Sequence, residues 1–191
     1  MAGITLPDDS CLDDVLSRVP AAIRPAMSIN LVRALSRSPE LAIEFTRVGS
    51  VLFAAGALSP VDRELVILAC GACYEAPYET AQHEPISRSV GVSEAQQAAA
   101  AARRWDDPAF SVAQQALLRF AAAVAAAPTV PADVFDEVSR HYDDRQVVEA
   151  VFVTGYYFLV ARLTTVLDVP LDPPADDRVL QAMLNAHNSG H

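Results

Sequence analysis

Glu79 and His83 stand four residues apart, a spacing that puts a carboxylate and an imidazole on one helix face within hydrogen-bonding reach. Imidazole is the side chain whose unperturbed proton affinity lies nearest neutral pH, so such a pair suits the taking and returning of a proton. Taken alone the pair also fits an ordinary solvated face. Its surroundings say more. Tyr74, Glu75, Tyr78 and Gln82 gather polar and phenolic groups beside the stretch from Leu65 to Cys73, which is apolar all round. Glu64 sits at the mouth of that stretch. There it either satisfies a helix N-terminus or, in an apolar setting, holds a proton at higher pH than a solvated carboxylate.

Cys70 and Cys73 form a Cys-x-x-Cys and invite a redox reading. Reactive thiols of that kind sit at a helix N-terminus or beside a cation. These two fall late in an apolar helix, where burial disfavours the thiolate, so they read as inert core thiols. Cys11 has no partner in sequence, and three cysteines without a secretory leader argue against a disulfide framework. His141, His187 and His191 are scattered and show no zinc spacing. Glu64, Glu79 and His83 together leave one metal alternative, a divalent ion held by two carboxylates and an imidazole.

The elements that must position these residues are helices. No stretch shows the strict alternation of a half-buried strand, so the fold class is all-α. Pro20 opens a helix to about Arg37, and Ser38-Pro39-Glu40 starts one ending near Gly56. Ser59-Pro60-Val61-Asp62 joins an N-cap serine, a first-turn proline and an acidic third residue, so a helix runs from there to about Tyr74. Pro77 begins the next, closed by Gly91, with a kink or break expected at Pro85. Ser93 with Gln96 caps another. Further helices run from Phe110 to Ala126, Ala132 to Tyr142 and Asp144 to Leu167, and a short terminal helix follows the Pro170–Pro174 break.

Leu58-Ser59-Pro60-Val61-Asp62-Arg63-Glu64, Tyr78-Glu79-Thr80-Ala81-Gln82-His83 and Val90-Gly91-Val92-Ser93, with the later Gly155–Leu163 and Val169–Asp172 segments, resemble the carboxymuconolactone decarboxylase family of the alkyl hydroperoxidase D-like superfamily. The resemblance implies an alkyl hydroperoxidase D-like helical bundle and divides the chain into an N-terminal helical extension (1–40), a core (41–173) and a C-terminal helix and tail (174–191). It implies Glu64, Glu79 and His83 as the acid–base cluster and Tyr78 as a substrate contact. It also implies assembly into a dimer, trimer or hexamer. The superfamily's peroxidases are expected to carry a redox cysteine pair four and seven residues before the motif histidine. Those positions here are Glu79 and Ala76, so the resemblance points to the branch without that pair.

Composition bounds the rest. The net charge of −10 opposes any role on phosphates or anionic lipid, which excludes nucleic acid as an expected partner. A hydrophobic share of 52% is high for a soluble domain and suggests apolar surface covered by a second copy. The apolar run from Val147 to Ala161 is shorter than the ~20 residues of a membrane span and reads as a buried helix. With no leader at the N-terminus the expected location is the cytoplasm. The expected activity is that of a cofactor-free lyase or isomerase acting on a small carbonyl or lactone compound, with no metal or flavin. His83 would act as general acid–base, Glu79 would orient it, Glu64 would be a second proton carrier, and Tyr78 would bind a carbonyl oxygen. The rival from another class is an oligomer that binds a small molecule or a partner without turnover.

Overall fold

The computed structural model describes residues 3–21 and 23–173; the expected terminal helix, with His187 and His191, lies outside the described residues. Among the described residues there are ten helices and no strand: α1 (Asp9–Ser17), α2 (Arg24–Met27), α3 (Asn30–Leu35), α4 (Pro39–Ala54), α5 (Pro60–Cys73), α6 (Pro77–Ser89), α7 (Glu94–Ala101), α8 (Val112–Ala126), α9 (Ala132–Ser139) and α10 (Asp144–Val166). The chain forms two compact units, Met1–Ala55 with Arg162–His191, and Gly56–Ala161.

In the first unit, α1, α3 and α4 close on Leu12, Val15, Val32, Ala42 and Ile43. The helix read as opening at Pro20 and running to Arg37 is instead two short ones, because Ile29 is extended at φ −122°, ψ 158°. The helix ahead of it, α1, buries Leu12 and Val15.

In the second unit, Leu65, Leu68, Ala69, Val92, Phe110 and Leu118 form a core joining α5, α7 and α8. The helix starts follow local chemistry. The Ser59 hydroxyl accepts from the Asp62 N–H, and Ser93 with Gln96 and Ser111 with Gln114 both close complete capping boxes. Ser111 therefore places the start of α8 just past Phe110. Gly91, at φ 105°, turns the chain out of α6. Pro85 lies inside an unbroken α6, so no break occurs there. Its missing N–H deprives only the carbonyl of Ala81, an exposed residue that water can serve.

Candidate active site

The turn between α5 and α6 sets up the site. Glu75 adopts φ 54°, and the Ala76 N–H donates to the Gly71 carbonyl at 3.0 Å. A left-handed residue with that 6→1 bond reverses the chain in three residues and lays α6 back along α5. Gly71 lets the two helices close, since a Cβ there would meet the Thr80 hydroxyl at 3.0 Å. As a result Glu64 on α5 and His83 on α6 face each other.

His83 Nδ1 lies 2.8 Å from Glu64 Oε2. Its other ring nitrogen, Nε2, lies 2.9 Å from the hydroxyl of Tyr157 on α10, and the two rings meet edge to face at 5.1 Å. A carboxylate accepts only, so Nδ1–H donates to Glu64, which leaves Nε2 as acceptor for the Tyr157 O–H. That tautomer satisfies the whole chain from phenol through imidazole to carboxylate. Burial, and the Glu64 carboxylate beside it, push the Tyr157 phenol well above its ordinary value, so it stays a proton donor.

All three side chains are buried, Glu64 completely, at 0% exposure. Glu64 is the fifth residue of α5, one turn deeper than the mouth position read from sequence. A buried carboxylate needs compensation. His83 supplies part of it on Oε2, and the buried Arg63 guanidinium places Nε 3.7 Å from Oε1, an atom that accepts no hydrogen bond among the described residues. Glu79 is also buried, one turn before His83 on α6, and its charge acts on Tyr157 and Cys70. The carboxylate in hydrogen-bond contact with the ring at Nδ1 is thus Glu64, in the orienting place that sequence reading assigned to Glu79. Tyr78 is buried at the second position of α6, while the phenol bonded to Nε2 is Tyr157.

Sequence reasoning quoted Arg63 and Tyr157 within the resembling segments but gave neither a role in the site. Arg63 carries a readable signal, since it is a cation directly beside Glu64 at the start of an apolar helix. Tyr157 carries none within its own helix.

The two thiols lie in the last turns of α5. Cys70 is buried and its thiol is pushed up to about 12, mainly by desolvation; a bond with Thr154 works in the opposite direction. Cys73, half buried, is also raised by burial, with Arg103 offsetting part of that. Both are free thiols. Among the described residues no three His, Cys, Asp or Glu side chains are grouped as metal ligands would be. Both ring nitrogens of His83 are already engaged, which leaves it no lone pair for an ion.

The model of the carboxymuconolactone decarboxylase family matches residues 39–127. No curated protein matches the chain. Among solved structures, the AhpD core of an uncharacterized peroxidase-related protein from Ralstonia eutropha JMP134 is 21% identical, with 95% of this chain and 96% of that one covered and a TM-score of 0.77. The debrominase Bmp8 in its apo form is 17% identical over 96% of each chain, with a TM-score of 0.76. A cysteine-to-alanine variant of Bmp8, in complex with 2,3,4-tribromopyrrole, is 17% identical over 96% of this chain and 95% of that one, with a TM-score of 0.73. At these identities the structures establish the fold, and the family model adds the sequence relationship. Residues 39–127 thus match the carboxymuconolactone decarboxylase family, and the chain has the all-helical fold of the AhpD-like structures.

Proposed function

We propose that the protein is a cofactor-free lyase or isomerase that moves a proton at a carbon next to a carbonyl, in a small carbonyl or lactone substrate. The observation that carries this reading is the buried chain Tyr157–His83–Glu64. A proton leaving the substrate passes to the Tyr157 oxygen as the Tyr157 proton passes to His83 Nε2. The resulting imidazolium lies against the Glu64 carboxylate, which stabilises it, and the electron pair left on the substrate is held on its carbonyl oxygen as an enolate. Reversing the relay returns the proton to carbon, at the same position or at another. In a β-keto acid bound with its carboxyl protonated, the relay takes the carboxyl proton, the same electron sink receives the pair released as CO2 leaves, and the relay then returns that proton to carbon.

Glu64 takes the orienting role, because its bond to Nδ1–H fixes the tautomer that leaves Nε2 free to accept. Glu79 is a second buried carboxylate near the phenol, positioned to oppose its ionisation. Tyr78 remains the proposed contact for a carbonyl oxygen. A positioned acid–base group of this kind contributes about 10²–10⁴-fold to rate.

A thiol peroxidase reading is disfavoured by two features of this chain. Glu79 and Ala76 occupy the positions four and seven before His83. Cys70, pushed up to about 12 mainly by burial, is held as the thiol at neutral pH. A panel of β-keto acids and small lactones, incubated with the wild type and with His83→Ala, tests the proposal. Turnover that falls at least ~10²-fold in the variant supports it. Binding without turnover by the wild type would favour the non-catalytic rival.

A further inference from the structure

Two polar side chains of α10 hold the entry of α5. Glu149 turns one oxygen, Oε2, to the N–H groups of both Ala57 and Leu58, at 2.6 and 2.9 Å. Three residues earlier, Gln146 donates through Nε2 to the Ala57 carbonyl at 3.2 Å. Two consecutive amides aimed at one oxygen form an anion-binding concavity. The carboxylate seated in it is only 19% exposed, and its other oxygen accepts from Arg145 Nε at 3.1 Å. Charge-assisted bonds of this kind are about twice as strong as neutral ones. Leu58, 3% exposed, precedes Ser59, the N-cap of α5, so the grip fixes where α5 begins. These residues and those of the relay all belong to the Gly56–Ala161 unit.

The same helix carries Tyr157. Glu149, Val153 and Tyr157 follow one another at intervals of four along one ridge of α10, with Val153 1% exposed between them. Eight residues separate Glu149 from Tyr157, about 12 Å along the axis. On α5, Glu64 lies six residues past Leu58. Thus α10 meets α5 at its entry through Glu149, and meets it again through Tyr157, His83 and Glu64. Between Glu149 and Arg162 the helix holds no Asp, Glu, Lys or Arg, and its apolar packing is non-directional, so it resists axial sliding weakly. A bond from the far end of α5 constrains the register less, because the Tyr74 hydroxyl reaches the Thr154 carbonyl only at 3.3 Å.

We infer that Glu149 is a positioning residue of the proton relay: through the Ala57 and Leu58 amides it sets how far along α5 the helix α10 stands, and so keeps the Tyr157 hydroxyl on His83 Nε2. Its catalytic meaning rests on the reaction proposed above, whereas its geometry stands without it. The relay needs this register because a proton crosses from Tyr157 to His83 only over a hydrogen bond, and misplacing a catalytic group by about 1 Å costs about 10²-fold. The property required of residue 149 is reach. A carboxylate one methylene shorter falls away from both amides, while a carboxamide of equal length still presents an oxygen to them. Glu149 acts on the relay through the backbone of α10.

Nitrogen NMR of the histidine rings in the full chain reads the Tyr157–His83 bond without any substrate. The Nε2 resonance of His83, identified by its loss in His83→Ala, marks the state with that bond in the wild type and the state without it in Tyr157→Phe. In Glu149→Ala and Glu149→Asp it should move most of the way to the Tyr157→Phe position, and in Glu149→Gln it should stay at the wild-type one. Circular dichroism identifies the variants that fold, and Glu149→Asp, which keeps the charge, decides where Glu149→Ala does not fold. With a substrate that the wild type turns over, kcat per folded molecule should fall by about 10–10²-fold in Glu149→Ala. An unmoved resonance in folded Glu149→Ala or Glu149→Asp overturns the inference, as does a Glu149→Gln resonance displaced as far as that of Glu149→Ala. A moved resonance with kcat at the wild-type value supports the register and contradicts the proton relay instead. Where the wild type turns over no substrate, the proposed reaction fails and the resonance alone decides the register.

Discussion

The Tyr157 hydroxyl lies 2.9 Å from His83 Nε2, although 74 residues separate them. This contact joins a phenol to what would otherwise be a buried Glu–His pair, and it sets what Tyr157→Phe should do. The phenylalanine keeps the ring packing and removes only the O–H, which takes from the buried Nε2 the bond it accepts from Tyr157. The variant should lose about 1–3 kcal/mol of stability, read as a shift in the chemical denaturation midpoint at unchanged slope.

Glu64 should be the costliest single loss in the site. In Glu64→Ala, Arg63 and His83 stay buried while their carboxylate is gone, and a broken buried pair costs about 3–5 kcal/mol. Glu64→Gln retains an amide oxygen that accepts from Nδ1–H and should cost clearly less. Equal losses in the two variants, measured by urea denaturation, would mean that the carboxylate charge is not what holds Arg63 and His83 in place.

The thiols predict an alkaline weakness. Cys70 is raised from an ordinary 9.0 to about 12, so between those values the unfolded chain releases its proton while the folded chain keeps it. The stability this group contributes is complete below about pH 9 and is lost as pH rises through about 12. Cys70→Ala should flatten the fall of melting temperature over that window. Tyr157 and Tyr156, both raised by burial, act in the same direction above pH 10.

Thiol labelling at pH 8 should separate the three cysteines in order of exposure. Cys11, exposed, should react first, Cys73 more slowly and Cys70 only after unfolding. Cys70→Ala/Cys73→Ala should leave turnover per folded molecule unchanged. Peroxidase activity that vanishes in that double variant would contradict the proposed chemistry.

At Glu75 the turn that brings α6 against α5 uses a side chain where glycine is easier. Glu75 holds φ 54° with its side chain 86% exposed, so Glu75→Gly relieves strain without losing buried contact. A gain of about 0.5–1 kcal/mol is expected, seen as a raised melting temperature.

Parts of this were legible in the sequence because the signals are local. Ser59-Pro60-Asp62, Ser93-Gln96 and Gly91 each carry their own cap or turn chemistry, and α5, α6 and α7 start or end where those residues place them. Glu79 and His83 could be paired by their spacing of four, and Glu64 joined them through the family resemblance. Other features were hidden for physical reasons. Ile29 breaks the Pro20–Arg37 helix through its backbone conformation, with no residue type to mark it. Pro85 is tolerated because its one orphaned carbonyl belongs to an exposed residue. Tyr157 sits in an apolar run whose pattern announces a core helix, and only packing shows which of its residues meets His83.

The most direct test is deuterium transfer. With any β-keto acid or lactone that the wild type turns over, incorporation of deuterium from D2O at the carbon next to the carbonyl is followed by NMR for the wild type, Tyr157→Phe, His83→Ala and the double variant. If Tyr157 and His83 act as one relay, each single substitution should slow incorporation by about 10²-fold or more, and the double variant should be no slower than the worse single one. Tyr157→Phe working at the wild-type rate, or losses that multiply in the double variant, would contradict the relay.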